Sequence, residues 1–183
     1  RKGDGIMISI PDKCVVDTNV ATTANRMNDG ASERCVTASA KALDHVMRCG
    51  HVYLDDKRRI LREYQKNLLG KKNSQPGPGT VFLKWILTNE WNSKRITRVP
   101  ISEKREDPED FHELAVPVSV QYDRSDKKFL AVAAAHPEHP VILQSFDSKW
   151  WGWQKELEKI GVSILFLCPE EISKKHSKKM GNA

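Results

Sequence analysis

Short unbroken apolar runs alternate along this chain with longer stretches in which apolar residues recur at helical spacing. The first run, Cys14-Val15-Val16, stops abruptly at Asp17-Thr18-Asn19-Val20, the pattern of a buried parallel strand that delivers a carboxylate to its carboxyl end. Residues 1–12, with Gly3, Gly5 and Pro11, read as a flexible lead-in. Val20 to Met27 predicts a short helix broken by Asn28-Asp29-Gly30, and Ser32 then caps a longer one to about Arg48, closed by Cys49-Gly50. His51-Val52-Tyr53-Leu54 predicts a second strand ending at Asp55-Asp56.

Beyond Lys57 the period is helical: Ile60, Leu61, Tyr64 and Leu68 share one buried face, with Glu63 on its margin. The stretch from Lys71-Lys72 to Pro78-Gly79 is a loop, basic at its start and rigid at its end. Val81 to Trp91 predicts a helix, and Ile96 to Ile101 a short edge strand that tolerates Pro100. Ser102 to Pro117 is charged and irregular, with a helical turn at Pro108-Glu109-Asp110-Phe111. Ser125 caps a helix with Asp126 in its first turn and a stripe of Phe129, Leu130, Ala133 and Ala134. Val141 to Phe146 predicts another buried strand, delivering Asp147. Trp150, Trp151, Trp153, Leu157 and Ile160 follow on a helix closed by Gly161, and Val162 to Leu167 is the last strand. Residues 170–183 read as a mobile basic tail.

Strands alternating with helices predict an α/β chain, a three-layer α/β/α sandwich with a mainly parallel central sheet over residues 13–169. At 183 residues the chain fits one domain. Its 30 Lys+Arg against 24 Asp+Glu give a net charge of +6, which permits a polyanionic partner such as RNA or DNA without requiring one. Cys14, Cys35, Cys49 and Cys168 form no Cys-x-x-Cys pair and read as reduced thiols of a cytoplasmic protein. No apolar run approaches the roughly 20 residues of a membrane span.

Four acids share one placement logic. Asp17 and Asp147 end buried strands, Asp126 opens a helix and Glu63 rims another, and in a doubly wound sheet such places face one crevice. Clustered carboxylates raise one another's pKa unless a cation compensates them. An all-oxygen set without His or Cys suits Mg²⁺ or Mn²⁺ better than zinc. On a basic protein this points to metal-assisted hydrolysis of phosphodiesters.

Each acid also has an ordinary reading. Asp17 and Asp147 are placed to cap turns or helices, Asp126 to complement a helix dipole, and Glu63 to pair with Arg59 or Lys66. Asp123 is close enough in sequence to exchange roles with Asp126. His136-Pro137-Glu138-His139 lies in a Pro-rich surface loop rather than on one helix face. At least one of Trp150, Trp151 and Trp153 belongs to the core, leaving Trp150 or Trp151 to stand near Asp147. The lysines at 71–72 and 174–179 read as solvated charge first and phosphate contacts second.

The ordered pieces Val15-Val16-Asp17-Thr18-Asn19, Ile60-Leu61-Arg62-Glu63-Tyr64, Asp126-Lys127-Lys128-Phe129 and Ser145-Phe146-Asp147 resemble the PIN-domain nuclease family. The resemblance implies a metal-dependent endoribonuclease in which Asp17, Glu63, Asp126 and Asp147 bind the metal. It further implies that Asn19 and Ser145 orient these acids or the attacking water. Many relatives are dimeric toxins silenced by a small antitoxin, so that role is implied as well. One departure stands out: family members often carry another acid two residues past the last Asp, where this chain has Lys149. The rival expectations are a structure-specific DNA nuclease and a catalytically inert PIN-like RNA-binding or scaffold module, the latter favoured by Lys149.

Overall fold

A computed structural model describes residues 8–69, 76–114 and 120–181. The lead-in glycines Gly3 and Gly5, the basic pair Lys71-Lys72, and Pro117 lie outside the described residues. In chain order the elements are β1 (Lys13–Val16), α1 (Thr18–Ala24), α2 (Glu33–Cys49), β2 (His51–Asp55), α3 (Arg59–Leu68), α4 (Pro78–Asn89), β3 (Ile96–Val99), α5 (Lys127–Ala135), β4 (Val141–Gln144), α6 (Ser148–Glu158), β5 (Ile164–Phe166) and α7 (Pro169–Gly181).

The strands form one all-parallel sheet in the order β3-β2-β1-β4-β5, flanked by helices as a three-layer α/β/α sandwich. Such a sheet is covered on both faces, which is why its strands read as unbroken apolar runs. Cys14, Val15, Val16, Val52, Ile142 and Leu143 are all fully buried. The edge position expected for the Ile96 strand is observed, with Pro100 just past its end.

The order places β1 between β2 and β4. The chain winds outward from β1 through β2 to β3, then returns past β1 to build β4 and β5 on the other side. The direction of winding therefore reverses between β1 and β4, and a doubly wound sheet opens a crevice at the carboxyl ends of the strands flanking such a reversal. The backbone N–H of Asp17 donates to Leu143 O at 3.1 Å, carrying the β1–β4 pairing one step past Val16.

Three local expectations are corrected. Pro169–Gly181 is helix α7 rather than a mobile tail. It buries Ile172, its His176 Nδ1 lies 3.1 Å from Ser148 O, and it lies close against α6 at Gly152, where any Cβ would stand 2.9 Å from His176 Cε1. Cys35 and Cys168 are joined as a disulfide, with Cα atoms 5.4 Å apart, so the four thiols are not all reduced. The expected helical turn at Pro108–Phe111 is instead a turn returning the chain to an antiparallel bridge between Glu103 and Phe111, with Phe111 buried as its anchor. Trp150 is fully buried, whereas the half-buried Trp151 packs against Phe166. No helix among the described residues is long and apolar enough to cross a membrane.

Candidate active site

Asp17 leaves β1 at the reversal and is the N-cap of α1, its Oδ1 accepting the Asn19 N–H at 2.7 Å. Asp147 leaves the end of β4 on the far side of the same reversal and caps α6, its Oδ1 accepting the Lys149 N–H at 3.0 Å. Asp126 is the N-cap residue of α5 rather than a first-turn residue, and its side chain makes no capping bond. Glu63 reaches in from α3: its Oε1 accepts the Thr18 hydroxyl at 2.6 Å and its Oε2 pairs with the Lys128 ammonium. Beneath them the buried Tyr64 hydroxyl donates to Val16 O and fixes α3 against the end of β1.

The electrostatics show that these acids share one field. Asp17 is only 4 % exposed, and burial holds its pKa well above the ordinary carboxylate range. The charges of Asp126, Glu63 and Asp147 push it further in the same direction, opposed by the Asn19 N–H. Asp126 is raised to about 7, by burial first and then by Asp147, Asp123 and Glu63, with Lys149 as the countering charge. The cluster is thus short of positive charge even with Lys128 and Lys149 beside it.

Asp55 gives the contrast. It also ends a parallel strand and is buried, yet its carboxylate accepts the N–H groups of Arg59 at 2.9 Å and Ile60 at 2.8 Å and pairs with the Arg59 guanidinium at 3.3 Å. That acid is a satisfied cap. Asp17 and Asp126 carry fewer compensating donors than their burial demands.

Two expected site residues differ in what they do. Asn19 points its side-chain oxygen at the backbone N–H of Phe146, so it fastens α1 to the end of β4. Ser145 is fully buried and faces away from the acids: its hydroxyl pairs with that of Ser39 on α2 and lies 3.9 Å from Cys35 Sγ and Cys168 Sγ. The expectation that Ser145 orients the acids or a water is therefore corrected. Asp123 pairs with the Lys149 ammonium, whereas Asp126 stands in the field of Asp147 and Glu63.

Residues that the sequence did not single out complete the site. Thr18 and Lys128 hold Glu63. Lys175, on α7, donates to Phe146 O at 3.2 Å and sits 3.9 Å over the Phe146 ring, beside Asp147. Thr18 carried a signal, its place next to Asp17; Lys175 was read only as one of the basic residues at 174–179, because only the docking of α7 brings it beside Asp147. Two hollows flank the acids. One, of about 310 Å³, is lined by Arg59, Arg62, Glu63, Arg124 and Lys128 among others. The other, of about 270 Å³, is lined by Asn19, Asn28, Phe146, Asp147 and Lys175 among others. Glu63 opens on the first and Asp147 on the second.

The donor set fits a hard divalent cation: it offers only oxygen, with Asp17 buried and the other three acids partly buried. Among the described residues no three of these acids bring ligand atoms within 4.8 Å of one another. The four acids therefore do not form a ready-made cage.

Comparison with protein-family models, with curated proteins and with solved structures gives no match for this chain.

Proposed function

We propose that this protein is a metal-dependent phosphodiester hydrolase of the PIN-like kind, acting on RNA. The single observation that carries the reading is the convergence of acids at the winding reversal, where Asp126, Glu63 and Asp147 all raise the buried Asp17, and Asp147 and Glu63 raise Asp126. Acids without such a task are normally neutralised by backbone donors, as Asp55 is.

Asp17, Asp126, Asp147 and Glu63 are the residues that would hold Mg²⁺ or Mn²⁺, which when bound supplies an activated water and Lewis acidity toward the attacked phosphate. The chain itself supplies the rest. Arg62, Arg124 and Lys128 line the hollow beside Glu63, where guanidinium and ammonium groups suit the phosphates of a polyanion. Asn19 sets the separation of the two strand-end acids through Phe146. Asp126, raised by burial and by Asp147, Asp123 and Glu63, is an acid that a bound cation would compensate. RNA as the polyanion rests on the residue-level resemblance and on the net charge of +6.

The test is cleavage of matched RNA and DNA oligonucleotides by wild type and Asp17→Asn with Mn²⁺, Mg²⁺ or EDTA. Metal-dependent cutting of RNA that Asp17→Asn abolishes is the expected result. Cutting of DNA alone would replace the substrate, and cutting that survives Asp17→Asn would remove the site.

A second reading, an inert RNA-binding module, is favoured by one feature: ammonium groups already pair with Glu63 and Asp123. Lys149→Ala discriminates. An active nuclease keeps most of its activity in this variant, since the cap on Asp147 comes from the Lys149 backbone rather than its side chain. An inert module shows neither cutting nor a Mn²⁺-dependent rise in Tm, with or without Lys149.

A further inference from the structure

At the opposite, amino-terminal edge of the sheet, a second group of ligating side chains converges. Asp12 precedes β1, and His45 and Cys49 stand one helical turn apart near the end of α2, just before β2. One ligand atom from each lies within 4.8 Å of the others, the only such group of three among the described residues. His45 Nε2 is 3.2 Å from Asp12 Oδ1, and Cys49 Sγ is 3.6 Å from the same nitrogen.

We propose that Asp12, His45 and Cys49 form a binding site for a thiophilic divalent cation of the Zn²⁺ class. The ligand types decide the ion: thiolate and imidazole with one carboxylate suit zinc, whereas Mg²⁺ and Mn²⁺ prefer oxygen. The separations agree. Tetrahedral zinc with ordinary bond lengths places its nitrogen and oxygen ligands about 3.4 Å apart and its sulfur and nitrogen ligands about 3.6 Å apart. The sulfur lies nearly equidistant from the two ring nitrogens, at 3.5 and 3.6 Å, so a turn of the imidazole about its soft χ2 torsion aims Nε2 at the shared point. The Asp12 carboxylate and the Cys49 thiolate together balance the two charges of the ion. The fourth position is open to water, because Asp12 and Cys49 are exposed.

The backbone holds the ligands together. Asp12 O accepts the N–H of His51 at 2.5 Å, which pins the approach to β1 against the start of β2. Gly50 permits this closeness: a Cβ there would stand 2.8 Å from Val46 Cα and 3.3 Å from Asp12 O. The site is independent of the acids at the carboxyl edge and of the nuclease reading.

Cysteine placement makes the test clean. Cys14 is fully buried, Cys35 and Cys168 are bonded to each other, and Cys49 is the exposed thiol. Titrating the unreduced protein with Co²⁺ as a spectroscopic substitute should give one ion per chain, with a thiolate-to-cobalt charge-transfer band and tetrahedral d–d bands that Zn²⁺ then displaces. Cys49→Ser should lose the charge-transfer band, and His45→Ala and Asp12→Ala should each weaken Zn²⁺ binding by at least about tenfold. Circular dichroism confirms that the variants stay folded, and Mn²⁺-dependent RNA cutting by Cys49→Ser should equal that of wild type. A wild type without a charge-transfer band, or a band that persists in Cys49→Ser, overturns the proposal and leaves Asp12 and His45 as a surface ion pair.

Discussion

The side-chain oxygen of Asn19 accepts the backbone N–H of Phe146, a bond between positions 127 apart in the sequence. It ties the first turn of α1 to the link between β4 and α6, and with it the positions of Asp17 and Asp147. Asn19→Ala should cost about 1–2 kcal/mol, since the Phe146 N–H loses its acceptor. It should also weaken Mn²⁺ binding measured by calorimetry, because the two strand-end acids are no longer held at one separation. An unchanged metal affinity would mean that other contacts fix that separation.

Asp17→Asn should leave the fold intact and raise the stability of the metal-free protein by about 1–2 kcal/mol, while abolishing metal-dependent cleavage. Asn keeps the acceptor for the Asn19 N–H and removes a buried charge that three other acids oppose. Urea unfolding with EDTA checks it; a less stable variant would show that the Asp17 charge supports the fold.

Asp126 sets a pH dependence of definite sign. Its carboxyl is neutral in the folded protein up to about 7, against an ordinary value of 3.8, so between those pH values the folded state holds a proton that the unfolded state has released. Its contribution to stability is complete below about 3.8 and is lost as pH rises to about 7, by at most roughly 4 kcal/mol. Thermal melts of metal-free wild type and Asp126→Asn across this range should diverge, the variant losing less stability on the way up. Parallel curves would place the pKa of Asp126 in the ordinary range.

Ser145→Ala should reduce stability by about 1 kcal/mol with little change in kcat, because the Ser145 hydroxyl pairs with Ser39 and not with the acids. Ser39 retains a bond to Cys35 O at 2.8 Å, which limits the loss. A large fall in kcat at unchanged stability would return Ser145 to the reaction.

The Cys35–Cys168 disulfide spans a sequence separation of 133, and on chain-entropy grounds such a link contributes up to about 5 kcal/mol. Unfolding with and without reductant should therefore differ by about 2–5 kcal/mol. Thiol titration of the unreduced, denatured protein should find Cys14 and Cys49 alone. Four reactive thiols there would remove the link.

The sheet and the two acids Asp17 and Asp147 were legible because buried parallel strands are unbroken apolar runs and an acid after such a run is a local signal. Features that depend on partners distant in sequence were not. α7 buries only Ile172 among its thirteen residues, too narrow a stripe to stand out from Lys174 to Lys179, and it is held through His176 and Lys175 instead. The disulfide joins cysteines without diagnostic spacing, and Ser145 was misassigned because its facing direction depends on where β4 ends. Glu63 was legible only through its neighbours' resemblance, since a helical Glu beside Arg and Lys is ordinary; its ammonium partner proved to be Lys128 from another helix.

The central place of β1 has a consequence for biosynthesis. β1 is made first, yet one of its two hydrogen-bonding flanks is filled by β4, which begins at Val141. Until then the nascent chain carries an apolar strand with an open edge, the kind of edge that pairs with foreign strands. Asp17 and Asp147 meet only when that edge closes, so the candidate site comes into being with the last third of the chain, and an arrested translation product would hold Asp17 without its counterpart.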